Sequence, residues 1–215
     1  VPGFPKETIN EIKEEIGFDD NLVVKGEYFH VWAIGGDSSI KKLLPLDQAG
    51  LNVLFMDDIR EFRAKKVRIL NGSHTGMVPV ALQLGCATVM DAFNTPEVEK
   101  FINTMVSTEV LPVIDEDPEE LKKFAGKILE RFYNPYLKHY LKDISLNSLS
   151  KWETRNFPTV KDNYTKLNKN ARLNSFSFAA LLVLYSGKSE VEFTPNDTAE
   201  FVEFIKSTFD AGNVK

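Results

Sequence analysis

The chain has 215 residues, 43% of them hydrophobic, with 26 basic and 31 acidic side chains and a net charge of -5. One main core is expected at that size, and a balanced, mildly acidic charge distribution excludes the basic footprint of a nucleic-acid or anionic-membrane binder. A single cysteine, Cys86, and three scattered histidines give neither an intrachain disulfide nor a zinc pattern, so a reducing cytoplasm is expected and no metal.

No apolar run approaches the roughly eighteen residues of a membrane span, and the opening residues lack the basic-then-apolar order of a secretion signal. Pro5 to Gly17 reads as an amphipathic surface helix, with Ile9, Ile12 and Ile16 on one face. Leu22–Lys25 and Glu27–Ile34 are rich in β-branched and aromatic residues and end at Gly35-Gly36, the pattern of a strand and turn. His30 falls in that strand and is assigned a structural or interface role. The Gly35–Ser39 loop is a weak phosphate signal, because no helical pattern follows it. Leu51–Met56 is a second, compact apolar strand, and Asp57-Asp58 offers a cap for the helix beyond it.

Next comes the stretch that carries chemistry, Lys65-Lys66-Val67-Arg68-Ile69-Leu70-Asn71-Gly72-Ser73-His74-Thr75-Gly76. It sets an amine, a carboxamide and an imidazole, three groups able to act on a sugar carbonyl or hydroxyl, into an apolar run. On a regular helix Asn71 stands about 140° and His74 about 80° round from Lys66, so the three share one broad face. Asn71 and His74 are i, i+3 neighbours, while roughly 12 Å of axial rise separates Lys66 from His74, which describes a trough and not a single point. The same spacing also suits an edge lysine, a helix-end asparagine and a core histidine.

Met77 to Leu84, closed by Gly85, is apolar enough for a short buried helix backing that motif. Thr95-Pro96 and Asp117-Pro118 start two scaffold helices, the first bent or ended by Pro112. Arg131 to Lys151 is dense in polar groups, and a guanidinium or ammonium there suits a carboxylate ligand as well as it suits solvent. Arg131 is either a carboxylate ligand or a helix cap, and Lys138 and Lys142 are assigned to the surface. Asp162 to Asn174 reads as a polar connector, Ser175 to Tyr185 as a buried core helix, and Thr194–Asp197 as the start of a helix whose Phe201, Phe204 and Ile205 form one core stripe.

Lys66, Asn71 and His74, spaced K-x4-N-x2-H within KVRILNGSHTGMVPVA, resemble the signature of the mannitol dehydrogenase family of polyol and uronate reductases. Leu44–Ile59 and Arg131–Trp152 match it further, and the His74–Ala81 continuation is most similar to members acting on the tagaturonate–altronate pair. The resemblance implies a mainly α fold, the multi-helical C-terminal domain of a polyol-dehydrogenase-like enzyme (6-phosphogluconate dehydrogenase C-terminal-like) with a few strands near its start. It implies residues 1–57 linking to a cofactor domain and 58–215 forming the helical substrate domain, zinc-independent hydride transfer with NAD, Lys66 as general acid/base, and Asn71 and His74 as its helpers. By the same resemblance Asn134, His139 and Lys151, with Asn71 and Arg131, are candidates for substrate contact. Where those enzymes often carry an acidic residue, this chain has Gly35. No G-x-G-x-x-G or P-loop occurs, so NAD is expected mainly on an N-terminal dinucleotide-binding domain outside this chain, and the piece alone is expected to be inactive. Fructuronate or mannitol as substrate, and a non-enzymatic carbohydrate-acid binding domain, are the alternatives.

Overall fold

A computed structural model describes residues 6–23 and 29–208, arranged as two compact units, residues 1–60 and 61–215. In the first unit, α1 (Lys6–Ile16) precedes a two-stranded parallel sheet of β1 (Trp32–Gly35) and β2 (Val53–Met56), paired in the register Trp32↔Val53 to Gly35↔Met56. The expected first strand is shorter than its composition suggests, and residues 24–28 of it lie outside the described residues. His30 is structural: its Nε2 accepts the Asn52 N–H at 3.0 Å and its carbonyl accepts the Asn52 side chain at 3.0 Å, tying the starts of the two strands. A short helix does follow the glycine pair, α2 (Ser39–Leu43), but five residues make no phosphate cradle. Gly35 is required by packing, since a Cβ there would stand 2.8 Å from Ile59 Cγ2.

The second unit is helical. Asp58 accepts the Arg60 N–H at 2.8 Å, where α3 (Arg60–Lys66) begins. A π turn (Val67–Asn71) then runs straight into α4 (Gly72–Gln83), the most buried helix of the unit. Met77 to Gln83 is therefore the continuation of the motif's own helix and not a second helix behind it. Apolar and small residues on every side let α4 sit inside a layer of neighbours, and burying each large aliphatic side chain there contributes roughly 1.5–3 kcal/mol. It packs chiefly on α11 (Arg172–Ser186), where Ser177 Oγ donates to the Gly76 carbonyl at 2.9 Å. Met105, at the end of α6 (Pro96–Met105), closes the other side of Gly76.

Helix starts follow their caps. Thr88 makes a capping box with Asp91 ahead of α5 (Val89–Phe93), Pro96 opens α6, and Asp117 accepts from Glu119 N at 3.0 Å and Glu120 N at 2.9 Å ahead of α7 (Pro118–Glu130). A second π turn (Val106–Val110) and a 3-10 turn (Leu111–Val113) end the α6 segment at Pro112.

Two further expectations fail. Asp162–Asn174 is no connector: most of it belongs to α10 (Phe157–Leu167) and the first turn of α11. Its polar residues fold because they are bonded inside, Asn163 Nδ2 donating to the Glu109 carbonyl at 2.7 Å, while the buried Glu109 carboxylate accepts Leu173 N at 2.7 Å, Asn174 N at 3.0 Å and Asn174 Nδ2 at 2.8 Å. In α12 (Ala199–Thr208) only Ile205 of the expected core stripe is buried; Phe201 and Phe204 are 56% and 64% exposed. They edge an apolar groove of about 810 Å³ that also includes Trp152, Phe157 and Phe178. Among the described residues no helix is long and apolar enough to cross a membrane.

Candidate active site

Lys66 is the last residue of α3 and is half-buried. Its neighbour Lys65 pairs with Glu116 at 2.5 Å and lies over the Phe124 ring at 5.0 Å, whereas the Lys66 amine has no hydrogen bond or ion pair with any described residue. Burial lowers its pKa from the ordinary lysine value, and the like charges of Arg155 and Arg131 lower it further.

His74, in the first turn of α4, has Nδ1 3.0 Å from the Leu70 carbonyl. A carbonyl only accepts, so the proton sits on Nδ1. The ring stacks against Phe132, centroids 4.3 Å apart, and against His139 at 5.2 Å. Burial above all, then His139, drives its pKa down to about 3, with smaller contributions from Arg155 and Arg131, against the Leu70 carbonyl that pulls it up. The imidazole is thus neutral and presents a bare Nε2 lone pair. Asn71 ends the π turn between them; its half-buried carboxamide makes no hydrogen bond to a described residue.

The Arg131–Lys151 candidates are placed unequally. Arg131, in the 3-10 turn after α7 (Arg131–Tyr133), exerts its charge on both Lys66 and His74. His139 reaches the His74 ring, and its carbonyl accepts the Val89 N–H at 2.9 Å. Asn134 closes a local turn, its Oδ1 accepting the Tyr136 N–H at 2.9 Å, and no contact carries it to Lys66. Past α8 (Leu141–Ile144), Lys151 on α9 (Ser148–Arg155) donates to the Ile144 carbonyl at 3.0 Å. Burial and Arg155 lower its pKa, and Asp197 partly opposes them.

Arg155 escaped the sequence reading. It ends α9 one turn beyond Lys151, and the i, i+4 spacing was the available signal. Its Nη1 donates to Thr75 Oγ1 at 3.1 Å, beside His74, and its charge acts on Lys66, His74 and Lys151. Lys66, His74, Arg131 and Arg155 thus form one electrostatic group, with Lys151 and His139 at its margins. Among the described residues no three His, Cys, Asp or Glu side chains converge on a metal position.

Residues 58–205 match the family model of the mannitol dehydrogenase C-terminal domain. The chain belongs to the mannitol dehydrogenase family. It is 45% identical over 195 residues to an altronate oxidoreductase of Bacillus subtilis (strain 168), which takes in 91% of this chain and 40% of that protein. It is 38% identical over 218 residues to an altronate oxidoreductase of Bacteroides thetaiotaomicron, taking in 100% of this chain and 46% of the relative. The chain therefore spans less than half the length of these relatives. Its fold is that of polyol dehydrogenases. The Pseudomonas fluorescens mannitol 2-dehydrogenase ternary complex with NAD and D-mannitol superposes with a TM-score of 0.76 at 21% identity, over 96% of this chain and 41% of that one. A substrate-free D-sorbitol dehydrogenase gives 0.77 at 20% identity, over 95% of this chain and 43% of that one.

Proposed function

We propose that this chain is the substrate-binding and proton-transferring part of an NAD-dependent sugar-acid oxidoreductase that interconverts D-altronate and D-tagaturonate. The observation that carries the reading is a half-buried amine, Lys66, with no hydrogen bond or ion pair among the described residues, held in an electropositive group with a neutral imidazole. An amine in that setting loses its proton more readily than a surface lysine, which is what a general base working near neutrality requires.

In oxidation, neutral Lys66 accepts the proton of the reacting hydroxyl as its C–H hydride departs. Asn71, whose carboxamide has no hydrogen bond among the described residues, donates to the oxygen on which negative charge develops, and the His74 Nε2 accepts from a neighbouring hydroxyl. Reduction runs the same contacts backwards, with protonated Lys66 donating to the alkoxide. Bound NAD supplies the hydride acceptor. The described residues offer no cradle for the pyrophosphate of that cofactor, since only the five-residue α2 follows β1. We assign the dinucleotide to an N-terminal domain of the longer polypeptide, and the short, partly exposed, four-residue parallel strands suit the edge of that domain's sheet.

The test is to assay the full-length gene product and its Lys66→Ala variant with tagaturonate and NADH. The variant is expected to lose roughly 10²- to 10⁴-fold in turnover. Equal rates of NADH oxidation would remove Lys66 from the chemistry.

A further inference from the structure

We propose that Arg155 recognises the substrate's carboxylate, and so selects sugar acids over neutral polyols at the Lys66 site. The inference rests on the proposed function, since it names the group that distinguishes that substrate.

Four cations, Lys66, Arg131, Lys151 and Arg155, share this part of the molecule, and no ion pair to Lys66, Lys151 or Arg155 occurs among the described residues. Asp197, the acid that acts on Lys151, spends its Oδ2 on the Leu149 N–H at 2.9 Å and the Tyr185 hydroxyl at 3.1 Å. Lys66, Lys151 and Arg155 are half-buried like charges that repel one another, and a ligand carboxylate relieves that repulsion where a hydroxyl does not.

Arg155 is the cation best arranged to take the carboxylate. Lys66 is reserved for the proton, and Lys151 is turned to the Ile144 carbonyl at 3.0 Å. Arg155 uses one N–H on Thr75 and leaves the remaining donors of a planar fork, whose geometry matches a carboxylate in two parallel bonds. Its position is held rigidly. The next residue, Asn156, is buried and donates from Nδ2 to the Gly72 carbonyl at 3.1 Å and to Asn174 Oδ1 at 3.0 Å, clamping the end of α9 onto the start of α4. A guanidinium fixed against Thr75, the neighbour of His74, rests on α4, the helix that the π turn joins to Lys66, and that fixes substrate orientation as well as charge.

The experiment is calorimetric binding of D-altronate and of D-altritol, the hexitol lacking the carboxylate, to the full-length gene product with NAD bound. The parent is expected to prefer the acid. In Arg155→Met the preference is expected to collapse by roughly 10- to 100-fold, the range for truncating a charge-assisted bond. Arg155→Lys keeps the charge and a donor for Thr75 but loses the fork; it is expected to lose part of the preference with its circular dichroism unchanged, and it carries the test if the methionine variant does not fold. A parent that binds acid and hexitol alike, or variants that keep the full preference, would overturn the assignment. An acid preference that depends on Arg155, in a protein that nonetheless fails to reduce NAD with altronate, would uphold Arg155 and refute the proposed reaction.

Discussion

Replacing His74 by glutamine isolates one titration. Folded His74 is held neutral, its pKa lowered from 6.5 to about 3, chiefly by burial. Released in the unfolded chain, the ring regains its ordinary basicity. The unfolded state therefore binds more protons below pH 6.5, and the stability that neutral His74 contributes at neutral pH is lost as the pH falls from 6.5 towards the folded value. At pH 5, roughly one and a half units below the unfolded value, the loss is about 2 kcal/mol at 1.36 kcal/mol per unit, and at pH 7.5 it is close to zero. Because pH 5 lies well above the folded pKa, the unfolded value alone sets the figure. Glutamine does not titrate and can donate to the Leu70 carbonyl. Urea unfolding of parent and His74→Gln at both pH values should show the parent losing about 2 kcal/mol more than the variant. His139, whose ring lies 5.2 Å away, is the histidine that faces His74, so the pair is repeated in a His139→Gln background. Parallel pH dependences for parent and variant in both backgrounds would refute a buried, neutral His74.

Glu109→Ala should cost about 3 kcal/mol in urea unfolding, because three N–H groups at the start of α11 lose their acceptor in the interior. Gly126→Ala, on an open face of α7, should stabilise by about 0.5–1 kcal/mol, whereas Gly76→Val should destabilise by about 1–3 kcal/mol, because even a Cβ would meet Met105 Cε at 3.1 Å; thermal melts separate the two. In the full-length protein, kcat/KM for altronate oxidation should rise with pH through a Lys66 pKa below the ordinary lysine value, and tagaturonate reduction should fall above it. A rate that is flat in pH, or one that inflects at the usual lysine value, would count against Lys66 as the proton acceptor.

Starts of helices were legible because their signals are local: Pro96 at the first position of α6 and the Asp117 cap of α7 act within one turn of themselves. Residues 157–167 were not, because what lets Asn163 be buried is a bond to the Glu109 carbonyl, more than fifty positions away, and no window of sequence contains both partners. Phe201 and Phe204 mark another limit. Periodicity states which residues share a face, and packing alone decides whether anything covers it. At the site, Lys66, Asn71 and His74 were legible as a motif, and His139 and Arg131 were found as polar positions in a second stretch. Arg155 was not found, since its claim is a contact with Thr75 across two helices.

The geometry assumed for the motif also changes, in a direction that matters for the chemistry. On a regular helix Lys66 and Asn71 stand about 140° apart, too far for both to reach one oxygen. The five residues Val67–Asn71 form a π turn, closed i→i+5, which fits more than 3.6 residues into a turn and so brings Asn71 round towards the residue five before it. Beyond it α geometry resumes, and Asn71 and His74 keep their i, i+3 adjacency. Such a turn is rarely adopted alone, and this one is held from both sides. Ile69 is wholly buried within it and the second π turn, Val106–Val110, packs on it, while on the outer face Arg68 Nη1 bonds Asp162 Oδ2 at 2.7 Å. The core contact and the outer ion pair fix the register of one extra residue, and through it the angle between the Lys66 amine and the Asn71 carboxamide, the two groups to which the proposed reaction assigns the proton and the developing charge.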